Sequence, residues 1–202
     1  MNTNFLVRKT YSNKTLGIEI EGFSTEFYGV HEYSGFWFIT TDGSIVPPSY
    51  NHYGREFVSQ PLTAEHLKRE IRKLHKNYKL EFNKSCGVHV HASKKWVSEA
   101  KAEKIWKFIQ TLSHVECEIL FGRRPNRYCV KHPDPTMGAR YHAINTTNDK
   151  TVEFRMFNSG GADWCQYCVD MVVYLIENAN HLNIDAAFAF RDLAARKYSL
   201  SA

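Results

Sequence analysis

The chain has 202 residues, 26 Lys and Arg against 21 Asp and Glu, a formal net charge of +5 at pH 7, and 43% hydrophobic residues. That is enough for one globular domain with a substantial core over 1–202, and the mix is too apolar and too even for a disordered segment. No apolar run reaches the roughly 18 residues of a membrane span, and MNTNFLVRKTYSNKT has no leader-like apolar stretch, so a cytoplasmic protein without membrane contact is expected; the modest positive balance suits phosphates as well as nucleic acid.

Taken in chain order, short β-branched or aromatic segments bounded by turn residues predict strands at 16–21, 35–40, 55–59, 86–92, 140–145 and 151–157, with Asp42-Gly43 and Pro47-Pro48 as punctuation. A helix is expected over 63–78, capped by Thr63, with Leu67, Ile71, Leu74 and Tyr78 on one stripe. A second, over 98–120, starts at Ser98 and aligns Ala102, Ile105, Trp106, Ile109, Leu112 and Ile119. Helices over 162–180 and 185–196 follow, the first with Trp164, Cys168, Val172 and Leu175 inward. Strands first, helices between, and no regular βαβ alternation predict an α+β fold with a largely antiparallel sheet. Neither the dinucleotide-binding nor the P-loop glycine pattern is present.

Five cysteines, odd in number and irregularly spaced, argue against a disulfide framework. Cys165 and Cys168 have redox or zinc spacing but lie in the 162–180 helix, where they read as reduced thiols of the core or surface.

Three of the strands alternate apolar with ionisable residues: Glu19 and Glu21 in GIEIEG, His89 and His91 in CGVHVH, Glu153 and Arg155 in TVEFRMF. Side chains two apart on a strand share a face, so each pair projects together. Glu56 in REFVS has the same style. A solvated sheet face also alternates, yet such faces usually mix Thr, Lys, Ser and Gln, whereas these positions are carboxylate, imidazole and guanidinium. If the strands share one sheet, Glu19, Glu21, Glu56 and Glu153 repel unless cations or protons neutralise them. Carboxylate oxygens with one or two imidazoles suit Mg²⁺ or Mn²⁺. Arg155 then meets an anion held by the metal, and the basic loop Gly122-Arg123-Arg124-Pro125-Asn126-Arg127, with Lys131 and Arg140, offers further contacts to phosphate or carboxylate.

The ordered segments GIEIEG, TTDGSI, REFVSQPL, CGVHVHAS, RYHAIN and TVEFRMF, spread over about residues 16–158, resemble the amidoligases, relatives of glutamine synthetase and glutamate-cysteine ligase. The resemblance implies a glutamine synthetase-like catalytic domain, an antiparallel curved sheet with helices on one face. It implies an ATP-dependent, Mg²⁺- or Mn²⁺-dependent ligase that joins a carboxylate to an amine through an acyl phosphate, on amino acid, peptide or protein substrates. By position, Glu19, His89 and Glu153 would hold the metal nearest the transferred phosphate, Glu21 and Glu56 the other, and Arg155 would steady the phosphoryl group, with Arg155, Glu56 and Asp42 counted in the catalytic set. Asp42, Arg140 and Asn145 match family positions and would place substrate or nucleotide, while the part of His91 stays open. At 202 residues the chain is short beside full-length amide ligases, which leaves room for substrate-recognition insertions, a partner protein or a homo-oligomer to complete the site.

Two other readings compete: a metal-dependent hydrolase with His89 and His91 as ligands, and a non-enzymatic module binding nucleic acid or protein through the basic loop, Trp96 and Trp106, for which no nucleic-acid motif is present.

Overall fold

The computed structural model describes residues 14–27, 33–132 and 139–200; all but Lys14 and Thr15 of the N-terminal stretch read for a leader lies outside them. Seven strands form one sheet: β1 (Leu16–Ser24), β2 (Tyr33–Ser34), β3 (Trp37–Thr40), β4 (Tyr53–Ser59), β5 (Gly87–Ser93), β6 (Ile144–Asn145) and β7 (Thr151–Asn158), in the order β2-β3-β4-β1-β5-β7-β6. Every pairing is antiparallel, as expected, and β1 is central.

The helices are α1 (Ala64–Asn77), α2 (Glu99–Thr111), α3 (His114–Phe121), α4 (Ala162–Glu177) and α5 (Ile184–Tyr198). α1 and α4 pack on each other and on β1, and α4 also reaches β5. Beneath them lie Ile18, Ile20, Val88, Val90, Val152 and Phe154, each at most 1% exposed. A fully buried aliphatic or aromatic side chain contributes about 1.5–3 kcal/mol, so this one-sided layer fixes which face of each strand turns inward. The opposite face is left to the ionisable residues.

The sequence pattern differs from the structure in three places. The helix expected over 98–120 is two helices, because Leu112 is extended and Ser113 opens a capping box: its hydroxyl accepts from the Glu116 N–H, and the Glu116 carboxylate accepts from the Ser113 N–H. The break turns Ile119 outward, 44% exposed. The strand expected over 140–145 is a 3₁₀ turn, Ala139–Tyr141, followed by the two residues of β6. Gly35, at φ 62°, turns the chain between β2 and β3, so the strand expected from 35 starts at Trp37.

Two local features position the site. The β3–β4 connection folds against the sheet edge: Ile45 packs over Gly54, where a Cβ would lie 2.9 Å from it, and groups with Phe23 and Cys86. It is tied down at Val46, whose N–H donates to Ser85 Oγ and whose carbonyl accepts from Asn83 Nδ2. The β5–β7 ladder changes register between Val88 and Val90, pairing Val90 with Phe154 but Val88 with Phe157, so β7 carries one extra residue opposite His89.

All five cysteines are buried and free. Burial pushes the Cys165 thiol up to about 12 and the Cys129 thiol to about 11, so both are inert, in keeping with core thiols.

Candidate active site

The ladder registers bring the ionisable residues together. Glu19 faces His89, Glu21 faces Glu56, His91 faces Glu153, and Glu153 also faces Asn145, so four neighbouring strands and the β6 edge contribute to one patch. Nδ1 of His89 lies 3.1 Å from Glu19 Oε2 and 3.4 Å from Glu153 Oε1, and its Nε2 lies 3.9 Å from Glu21 Oε1. His91 Nε2, itself buried, stands 3.1 Å from Glu19 Oε1 without the alignment of a hydrogen bond.

The carboxylates are held from behind. The Gly87 N–H donates to Glu21 Oε2 at 2.6 Å. Asn145 Nδ2 donates to Glu153 Oε2 at 2.7 Å, and Arg155 donates to Glu153 Oε1. The N–H and hydroxyl of Thr147 both donate to Asn145 Oδ1, at 3.0 and 2.8 Å, which fixes the amide with its NH₂ toward Glu153. Asp42 accepts from the Ser44 N–H in the tethered β3–β4 connection. Among the described residues, three groups could each hold a cation: Glu19 with Glu56 and His89, Glu19 with His91 and Glu153, and Glu21 with Asp42 and Glu56, the ligand atoms of each group lying within 4.8 Å of one another.

Crowding sets the protonation. Burial first, then the charges of Glu19, Glu21 and Asp42, push Glu56 up to about 8. Burial likewise raises Glu21, outweighing His89 and the Gly87 N–H. Burial works against the Glu19 carboxylate too, but His91 and His89 hold it well below the usual carboxylate range. Burial alone would lower His91, and Glu19, with Glu153 and Glu56 behind it, carries it up to about 9. Oxygen donors with imidazole, and like charges that need a counter-ion, fit a hard divalent cation.

A cavity of about 960 Å³ opens over this patch. Glu19, Glu21, Asp42, Glu56 and His89 line its acidic side; Lys84, Arg123, Arg127, Arg140 and Arg155 line the rest. Of the strand and motif positions singled out in the sequence, His91, Glu153 and Asn145 do not border it, and His91 turns to a separate pocket. Glu153 and Asn145 lie behind the others, buried, and Asn145 spends its amide on Glu153 and Thr147. The basic loop divides: Arg123 is anchored on Phe157 O and Asn126 Oδ1, Arg124 pairs with Glu118, and Lys131 turns to Leu112 O. Lys84 and Tyr128 were not indicated by the sequence, because both sit in connections with no periodicity. Trp106 donates to Lys131 O and packs on His142, and Trp96 is half-buried near Lys14, so neither offers an open stacking platform.

The family model described as "Putative amidoligase enzyme" matches residues 8–137, well over half of the chain. The chain belongs to that family. No curated protein and no solved structure matches it. The amidoligase match ends before β6 and β7, and it is the pairing of β7 with β5 that delivers Glu153 and Arg155 to the cluster. No helix among the described residues of this amidoligase is long and apolar enough to cross a membrane.

Proposed function

We propose that this amidoligase is an ATP-dependent carboxylate–amine ligase working with two divalent cations, Mg²⁺ or Mn²⁺, in a glutamine synthetase-like catalytic domain formed by the chain as one unit in the cytoplasm. The observation that carries the reading is the meeting of acids and imidazole from neighbouring strands opposite a wall of cations in one cavity. The one-sided helix layer supports the fold assignment, since it leaves a sheet face free for ligands.

Glu19, His89 and Glu153 would hold one cation, and Glu21, Glu56 and Asp42 the other. When bound, the cations supply charge neutralisation on the nucleotide's phosphate oxygens. Arg155, fixed by Glu153 and by Tyr128 O, presents its remaining donors to the transferred phosphoryl group. Arg140, stacked on Tyr141, and Arg123 steady the polyphosphate or the substrate carboxylate. Asn145 acts through Glu153 rather than on the nucleotide. The substrate carboxylate takes the γ-phosphoryl group and ADP leaves; the amine nitrogen then attacks the acyl carbon, phosphate departs with the former carboxylate oxygen, and the ammonium protons not kept by the amide pass to phosphate and solvent. The walls exclude water while the acyl phosphate waits.

The test is to incubate the protein with Mg²⁺-ATP and pooled amino acids or cell extract and to look by mass spectrometry for ADP, phosphate and a condensed product. ATP hydrolysis without any condensed product, or metal-dependent hydrolysis that needs no ATP, would replace the ligase reading with a hydrolase.

A further inference from the structure

Glu19 stands between two cavities. Its Oε2 turns to His89, on the wall of the 960 Å³ cleft, and its Oε1 turns to His91, on the wall of a separate pocket of about 270 Å³. Gly17 and Pro61 form one side of that pocket, and Asp149 and Lys150, from the β6–β7 connection, form another. Sites for drug-sized ligands run about 300–1,000 Å³, so the cleft has room for a nucleotide and the pocket only for a small molecule.

The two chambers also differ in make-up. The cleft sets five Lys and Arg side chains against Glu19, Glu21, Asp42 and Glu56, a wall for several charged groups, whereas the pocket has only Lys150 and His91 against Glu19 and Asp149. Asp149 and Lys150 are exposed, and neither side chain is in a hydrogen bond or ion pair with a described residue. The connection that carries them is nevertheless ordered by its own turn, in which Asn148 Oδ1 accepts from the N–H groups of Lys150 and Thr151. An uncommitted carboxylate and ammonium side by side, above a pocket of this size, form a complement to a small zwitterion.

We propose that this pocket receives the amine substrate, and that the amine is a free amino acid: Asp149 and Glu19 meet its ammonium group and Lys150 its carboxylate. The assignment rests on the ligase reading and deepens it. Amine and nucleotide then reach the reacting carbon from different chambers, with one carboxylate between them. Asp149 takes one proton from the ammonium, the freed nitrogen lone pair forms the bond to the acyl carbon as the bond from that carbon to the phosphate oxygen breaks, and the phosphate leaves with that electron pair toward the cationic cleft and takes up the second proton.

Gly17 gives the means to test this. It faces His91, and a Cβ built on it would lie 3.7 Å from Ser59 Oγ and 3.8 Å from His91 Cβ, ordinary contacts. Gly17→Val should therefore be accommodated in the strand while its methyl groups fill the pocket. Saturation-transfer NMR with the free amino acids and ethylammonium as probes should show transfer to at least one amino acid in the wild type, weakened about ten-fold or more in Gly17→Val. Asp149→Asn, on an exposed connection, should weaken it without touching the fold. Both variants should keep the wild-type melting shift with Mg²⁺-ATP, which separates a filled or neutralised pocket from a misfolded protein. Transfer to no amino acid in the wild type, whether or not ethylammonium shows it, or transfer unchanged in both variants, would overturn the assignment. The ligase reading fails on a separate readout, the absence of amine-dependent ADP, so the two can fall independently.

Discussion

Glu19 and His89 face each other across the β1–β5 ladder with Oε2 and Nδ1 3.1 Å apart, although 70 residues separate them in the chain. Strand pairing alone makes this contact. It follows that a cation-binding group exists only in the folded sheet, so cation binding and folding are linked.

Glu153→Ala should give a folded protein with a lost metal and nucleotide response. In the wild type, Mg²⁺ with ATP at 100 times the dissociation constant adds about 2.7 kcal/mol, roughly 5–10 °C in melting temperature for a chain of this size. The variant should melt within a few degrees of the metal-free wild type and shift by less than half as much. An undiminished shift would remove Glu153 from the ligand set.

Asn145→Ala should weaken the first cation about 10- to 100-fold, the usual cost of losing a group that orients a ligand. Asn145→Asp should be worse, since it places a second carboxylate where the amide now donates to Glu153. Titration with Mn²⁺, followed by electron paramagnetic resonance, separates this effect from a change in turnover.

The metal-free protein should lose stability as pH rises from about 5 to 9. Glu56, raised from 4.5 to about 8, is protonated in the fold but ionised in the unfolded chain between those two values, so the fold holds the extra proton and its advantage disappears as pH climbs through about 8. His91, raised from 6.5 to about 9, acts in the same direction: its contribution is complete below 6.5 and gone once pH passes about 9. Each unit of such a gap corresponds to about 1.4 kcal/mol. Mg²⁺ should flatten the curve and release protons at pH 7, measured by calorimetry in two buffers of different ionisation enthalpy; Glu56→Gln should reduce the release. A metal-free melting temperature that rises over this interval would contradict the assignment.

Leu74→Ala, by contrast, removes volume under α1, where the side chain is 2% exposed, and should cost about 2–5 kcal/mol by urea denaturation. Its cation affinity under folding conditions should stay that of the wild type, because α1 packs on the sheet face opposite the ligands.

How far the sequence foretold all this depends on the kind of residue. Alternation in β1, β5 and β7 marked Glu19, Glu21, His89, His91, Glu153 and Arg155 as co-facing, because a half-buried strand writes its two faces into a period of two. Which strands are neighbours is a tertiary fact, and only the registers showed that Glu19 meets His89 while His91 meets Glu153. The break at Leu112–Ser113 was legible in hindsight from Ser113 and Glu116, a capping box hidden inside a continuous apolar period. Asp42 and Lys84 had no periodic context, and their places depend on Ile45 seating over Gly54 and on the ties from Val46 to Asn83 and Ser85.

The extra residue of β7 opposite His89 makes that strand change parity midway. Upstream, odd-numbered positions such as Glu153 face the ligands and the even-numbered Phe154 the helices; downstream, the odd-numbered Phe157 also remains under the helices. Pairing the strand without that slip would turn Phe157 to the cation face, so either its phenyl ring would be driven into water or the acid of Glu153 into hydrocarbon; removing one residue between Phe154 and Phe157 would instead restore an even spacing and keep both rings under the helices. Neighbouring strands can run straight, but this one reconciles its two halves only through that extra residue.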